Sequence, residues 1–373
     1  MPPNAVTTAL TTALATVEPA TPAPSGPPTP ATRPGPVGTP AAGPVVERHT
    51  RSSRIGGTLA FTALLVMLSL PWWADAGLMR SVVELACYIA LAQMWNLLAG
   101  YGGMVSVGQQ AFIGLGGYAL FVLSERAGLD PFLAAPLALL LPLLVAVPAH
   151  ALLHRLDGPY FSIGTWVVAE VLRLWTSTQD AVGSGSGMTL RAMAQHEAGT
   201  RELGTVWLAA AMLVLTVGGS LWLLRSRHGL ALTALRDNPV AAASQGVDVR
   251  RLRLLIWLAA AVGTGLVGVV YYLSALRISP AAAYDVNWSS ICIFIVMVGG
   301  IGSIEGPLIG AVLYFAADRL FGQYGATYMV ALGLMTIAVA LFAPKGLWGL
   351  WSRRVDAPWF ALRRRLRRGD DAA

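Results

Sequence analysis

Between about residue 55 and residue 343 the chain is a succession of long apolar stretches separated by short polar breaks. In hydrocarbon every backbone N–H and C=O must be satisfied within the chain, so each such stretch has to be a helix of about 20 residues, or fewer where it is broken. Segments fall near 55–73, 82–99, 106–124, 132–153, 160–178, 204–224, 254–276, 288–300, 306–321 and 326–343. The expected fold is therefore all-α: a polytopic transmembrane bundle of about ten spans, with glycine-rich short or broken helices and an internal repeat. Composition agrees, since 55% of residues are hydrophobic and 12% charged, against roughly 25% charged in soluble domains.

A sequence pI near 9.8 invites a nucleic-acid reading. The arginines, however, collect at the ends of apolar segments instead of interleaving with aromatics on a polar domain, so no nucleic-acid partner is expected. Arg48, Arg51 and Arg54 precede the first segment, Arg155 follows the fourth, and six arginines lie within 225–253. With basic residues favouring the cytoplasm, an even number of spans and two cytoplasmic termini satisfy all of these. The opposite loops mix charges, as in 179–203, where Arg191 and Arg201 accompany Asp180, Glu197 and Glu202.

Three regions follow. Residues 1–47 hold about half of the 23 prolines and read as a disordered cytoplasmic tail with no signal-peptide pattern. Residues 48–352 are the membrane domain. Residues 353–373 form a basic cytoplasmic tail, where Arg363, Arg364, Arg365, Arg367 and Arg368 with Trp359 and Phe360 suit a short helix on anionic headgroups.

The polar break 225–253 contains its own small helix. Asn238 can cap its start, Pro239 fits the first helical position, and Gly246 can end it in a left-handed turn. The alanines 241–243 between them offer a small-residue surface that another protein could approach closely.

Enzymatic constellations are missing from the sequence. Lys345 is the single lysine and sits in a Pro-Lys-Gly turn, so there is no phosphate-binding GxxxxGK[ST] loop. Nucleotide chemistry, if used, has to come from another polypeptide. His150 and His154 have ligand spacing without the glutamate of HExxH, Cys87 and Cys292 stand in apolar runs, and no metal or other cofactor is expected.

Residues 96–118, NLLAGYGGMVSVGQQAFIGLGGY, and 297–314, MVGGIGSIEGPLIGAVLY, share Gly-Gly-x-x-Ser. The echo comprises Gly102, Gly103 and Ser106 in one and Gly299, Gly300 and Ser303 in the other. Paired glycine-interrupted segments are a mark of transporters built from repeats, whose broken helices line a path. Gln109, Tyr160, Thr165 and Glu170 join these as candidate path residues. Glu170 and Arg173, three apart, can pair on one helix face; Gln93 and Asn96 are further intramembrane polar groups.

Together these blocks resemble the permease subunits of branched-chain amino-acid ATP-binding-cassette importers, LivM-type more than LivH-type, over about residues 80–352. The resemblance rests on the 96–118 block, on DGPYFSIGTWVVAEVLRL, on RHGLALTALRDNPVAAASQGVDVRRLRL, on VGGIGSIEGPLIGA and on PKGLWGL. Leu230 replaces an arginine of the family pattern and Asp237 a glutamate. The resemblance implies a bacterial plasma-membrane permease for branched-chain amino acids, or for urea, short amides or aromatic acids. It also implies a homologous second permease subunit, two cytoplasmic ATPase subunits that bind the ATP, and an extracytoplasmic solute-binding protein. The coupling residues would be Arg236, Asp237, Asn238, Pro239, Ala242 and Gly246, with Ala242 against the ATPase groove. The rival is a secondary transporter driven by an ion gradient, which would be expected to carry several intramembrane carboxylates.

Overall fold

The sequence sets helix ends with the expected chemistry. In the computed structural model, α1 (Arg51–Ser69) is followed by α2 (Ala76–Asn96), whose cap Asp75 accepts the backbone N–H groups of Gly77 and Leu78 at 2.9 and 3.3 Å. A wide π-type turn, Leu97–Tyr101, extends α2. Next come α3 (Gln109–Glu125), α4 (Pro131–Ala138), α5 (Leu140–Leu153) and α6 (Pro159–Thr178). α4 and α5 together make one 23-residue span. The break between them has a cause at Pro142, which has no N–H to offer the carbonyl of Ala138 and whose ring crowds it.

The second half begins with another interrupted helix. α7 (Ala198–Leu213) continues through a π-type turn at Val214–Gly218 into α8 (Gly219–Arg225). Then follow α9 (Arg227–Asp237), α10 (Pro239–Ser244), α11 (Val249–Ala275), α12 (Pro280–Ala283), α13 (Asn287–Gly299), α14 (Glu305–Phe321), α15 (Ala326–Phe342) and α16 (Gly346–Arg354). The structure describes residues 45–47, 51–354, 359–360 and 365–367. Residues 1–44 of the expected tail and the side chains of the terminal arginines lie outside the described residues.

All ten expected segments are helical. Seven are long and apolar enough to cross a membrane. The other three are α3 and α14, at 17 residues each, and α6, which carries Glu170 and Arg173.

α2 and α11 are central, with 78% and 67% of their most apolar windows buried, against 6% for the span that begins with α15. α11 lies against α3 so closely that a Cβ on Gly116 would overlap the Gly265 carbonyl and one on Gly268 the Ile113 carbonyl. Small residues allow such backbone contact between membrane helices, where apolar surface alone gives no preference for protein over lipid. Trp95, Ile113 and Phe121 fill the surrounding core.

Helix ends gather in two groups. At one end Met188–Thr189 pairs with Arg277–Ile278, Glu125 accepts the Ala192 N–H at 2.7 Å, and His196 meets Asp130 at 2.8 Å. Arg319 reaches Glu84 and Ser81 at 2.7 and 3.1 Å toward the same end. At the other end lie α9 and α10, the 154–158 turn and the 300–304 bend, with Gly346 against Gly300. Trp359 and Phe360, which the sequence suggested for a surface helix, pack inward instead. Trp359 stacks edge-on to Trp348 at 5.2 Å, and Phe360 is buried, its N–H bonded to the Glu305 carboxylate at 2.8 Å. Satisfying that carboxylate is the physical gain of the inward position.

Candidate functional site

The polar break between α8 and α11 folds as a short helical hairpin. Ser226 starts α9 by accepting the His228 N–H at 3.2 Å, and Leu232 and Leu235 anchor it, both fully buried in a cluster that includes Leu98 and Ile256. Asn238 then takes extended backbone, and its Oδ1 accepts the N–H groups of Val240 and Ala241, each at 3.0 Å. Pro239 occupies the first helical position. Gly246 ends the turn at φ +84°, a conformation that suits glycine. Val247 N–H bonds the Ala242 carbonyl at 3.1 Å and Gly246 N–H the Ala243 carbonyl at 3.0 Å, a Schellman end. Asn238, Pro239 and Gly246 thus act as their sequence positions suggested. The side chain of Asp237 lies outside the described residues.

Ala242, expected against a partner's groove, is only 2% exposed in the single chain. The six-residue helix turns Val240 outward instead, at 79% exposure, with Ala241, Ala243 and Ser244 also exposed. Periodicity over so short a helix did not show which alanine faces in.

The hairpin is tied to the bundle through Arg236. Its guanidinium lies over Gly302, where any Cβ would collide with it, and Gly302 itself has φ +74°. Gly302 N–H in turn donates to Asn96 Oδ1 at 2.8 Å, while Asn96 Nδ2 donates to the Ser303 carbonyl at 2.7 Å. Asn96 is fully buried at the end of α2 and latches one glycine segment to the other. The two echoed serines do similar work. Ser106 Oγ accepts the Gly108 N–H at 3.2 Å, and Ser303 Oγ accepts the Gly306 N–H at 3.1 Å, each where the next helix begins.

Several candidate path residues are buried in the single chain. Gly102, Ser106, Gln109, Thr165, Gly299 and Gly300 are all buried. Thr165 Oγ1 accepts the Val107 N–H at 3.0 Å, and Gln109 Oε1 accepts the Thr264 hydroxyl at 2.9 Å. A Cβ on Gly299 would overlap the Gly306 carbonyl. In the single chain these groups are enclosed by protein, with Gln109 Nε2 left without a hydrogen-bond partner and Thr165 beside a small pocket. Gly103 and Tyr160 are exposed and Ser303 is half-buried. Glu170 forms an ion pair with Arg173, their side chains 42% and 33% exposed.

Sequence reading passed over two carboxylates. Glu84 pairs with Arg319, and Glu305, 3% exposed in the first turn of α14, holds Phe360. A first-turn acidic residue is a recognisable signal, because it complements the helix dipole.

The described residues form an all-α polytopic membrane protein with a capped hairpin at one end. Residues 77–340 match the family model for the branched-chain amino acid transport system permease component, and the chain belongs to that family. It is 24% identical over 322 residues to the high-affinity branched-chain amino acid transport system permease protein LivM of Escherichia coli, covering 79% of this chain and 76% of that protein. The LivM protein of Salmonella typhimurium is 26% identical over 326 residues, with 79% and 76% covered. A probable branched-chain amino acid transport permease protein LivH of Methanocaldococcus jannaschii is 25% identical over 272 residues, covering 66% and 83%.

Proposed function

We propose that the chain is the membrane-spanning subunit of an ATP-binding-cassette importer in a bacterial plasma membrane, carrying branched-chain amino acids or a related small solute. The observation that carries this reading is the hairpin: an apolar residue, Val240, held outward on a helix capped at both ends, whose base rests through Arg236 on Gly302. Two cytoplasmic ATPase subunits would grip such hairpins, one on this chain and one on a homologous second permease. An extracytoplasmic binding protein would deliver the solute at the opposite end. ATP is bound by the partners, and this chain needs no cofactor.

Motion has a defined route in this reading. Displacement of α10 moves α9, and Arg236 passes it to the 300–304 bend. The Asn96 latch then moves the inner end of α2 together with the start of α14. All ten helical segments cross the membrane, with both termini and the hairpin inside, because that arrangement puts the arginine-rich end in the cytoplasm. A gradient-driven mechanism finds little support: Glu84, Glu170 and Glu305 each already hold a partner.

Val240→Glu tests the reading. Reconstituted with its ATPase and second permease subunits and supplied with binding protein, the wild-type complex takes up solute with ATP hydrolysis, and the variant loses most uptake while inserting normally. Uptake by the wild type on an ion gradient without ATP would overturn the assignment.

A further inference from the structure

The hairpin end of the bundle contains a cavity of about 500 Å³. It lies between the last turn of α5, the first turn of α6, the first turn of α11 and the Gly103–Val105 bend. Its polar wall carries His150 and Arg253, with Asp157 and Ser162 beside them. His150 is 7% exposed, and its Nε2 is buried with no hydrogen-bond partner. Arg253 likewise buries an unpartnered Nε, although its Nη1 reaches Asp157 Oδ1 at 3.5 Å. Asp157 itself turns its carboxylate to the outside, at 83% exposure, where solvent screens it.

The third component is backbone. α6 begins here behind Gly158, whose φ of +57° makes the sharp entry and which has no side chain to cap the helix. Pro159 at the first position has no N–H, so the N–H groups that follow it and the positive end of a 20-residue helix face this region. His154 stacks on His150 at 5.8 Å, and Trp257 braces the His150 ring at 6.3 Å while donating to the Ala146 carbonyl at 2.9 Å. Buried polar groups without partners are costly, and a helix N-terminus favours negative charge. Met104, Phe161 and Ile163 supply an apolar wall beside them.

We propose that this cavity binds the carboxylate of the carried solute, as a station at the inner end of the path, with Arg253 and His150 as its side-chain donors and Phe161 beside the aliphatic part. The inference rests on the permease reading above and narrows it: it selects a carboxylic solute over urea or a neutral amide. Val105, whose carbonyl accepts the Ser162 hydroxyl at 2.6 Å, joins the glycine bend to the start of α6. Movement of the 96–108 segment would therefore open or close this cavity.

Equilibrium binding of labelled L-leucine to the full-length chain in phosphatidylcholine nanodiscs tests the site without any ATPase. Saturable binding is expected, competed by isovalerate, which keeps the carboxylate, and not by leucinamide, which lacks it. Arg253→Gln and His150→Gln should each weaken binding tenfold or more, with unchanged size-exclusion profiles, while Gly218→Ala, in open space away from the cavity, leaves it unchanged. Absence of saturable binding, equal competition by leucinamide, or wild-type affinity in both glutamine variants would overturn the site. Competition by inorganic phosphate at the concentration effective for isovalerate would assign the donors to a general anion and overturn the solute station. Leucine binding that survives in a complex without ATP-driven uptake would instead count against the importer reading alone.

Discussion

Asn96 shows how much one side chain can hold. Fully buried, it donates to one backbone group of the 300–304 bend and accepts from another, across more than 200 residues of sequence. Asn96→Leu would leave the Ser303 carbonyl and the Gly302 N–H without partners, at roughly 1–3 kcal/mol each. The variant should unfold at a clearly lower temperature in detergent than Thr264→Val, which removes only the hydroxyl donating to Gln109. Equal melting temperatures for the two would show that the latch is not carrying that energy. Ala242 makes a different prediction from its exposed neighbour. A carboxylate at Ala242 is buried without a partner and should open the hairpin, loosening the backbone beside the already exposed Arg236 and Arg250 and speeding trypsin cleavage there, whereas Ala243→Glu should leave cleavage unchanged. Similar cleavage of both would mean that the Ala242 face is not packed in the membrane-bound protein.

The helices were largely legible from the spacing of apolar runs and from local punctuation such as Asp75, Asn238, Pro239 and Gly246. Those signals act within a few residues, so a sequence displays them directly. The division of polar groups between packing and path was not legible. Ser106, Gln109 and Thr165 look alike as intramembrane polar residues, and their roles follow from partners such as Thr264, 155 residues away from Gln109. The same holds for glycines. Gly116 is a contact point between α3 and α11, while Gly218 has open space around its missing Cβ. Gly116→Val should therefore destabilise the protein by about 1–3 kcal/mol or more through overpacking. Gly218→Ala should be neutral or gain up to about 1 kcal/mol from helix propensity. Thermal unfolding in detergent separates them, and a Gly116→Val protein as stable as wild type would show that the two helices do not touch.

At the scale of the molecule, the surface carries information about what must cover it. Glu170 and Arg173 stand about midway along α6 with a third or more of each side chain exposed, on a face shared with Ile163, Trp166 and Val167. Charges at such depth are not left in hydrocarbon, so in the assembled transporter this face meets protein or water. Breaking the pair should therefore cost more than removing it. Arg173→Met alone leaves an uncompensated carboxylate and should lower assembled yield more than the double variant Glu170→Gln with Arg173→Met. Yields ranked the other way would place the pair in ordinary solvent.

Orientation follows from the same separation of ends and has a direct readout. Cys87 and Cys292 are fully buried, so the wild-type chain should react poorly with a membrane-impermeant maleimide and provide a quiet background. Gln195 is exposed at the end that holds the 179–197 loop, and Ser244 is exposed on α10 at the other. In whole cells stripped of their outer layers, Gln195→Cys should label at once. Ser244→Cys should label only after the membrane is opened, because the arginines around it favour the cytoplasm. The reverse pattern would invert the chain and remove the hairpin from reach of any cytoplasmic ATPase. Labelling of both from outside would mean an even number of crossings between them, so that α7 and α8 fail to complete the span 198–225.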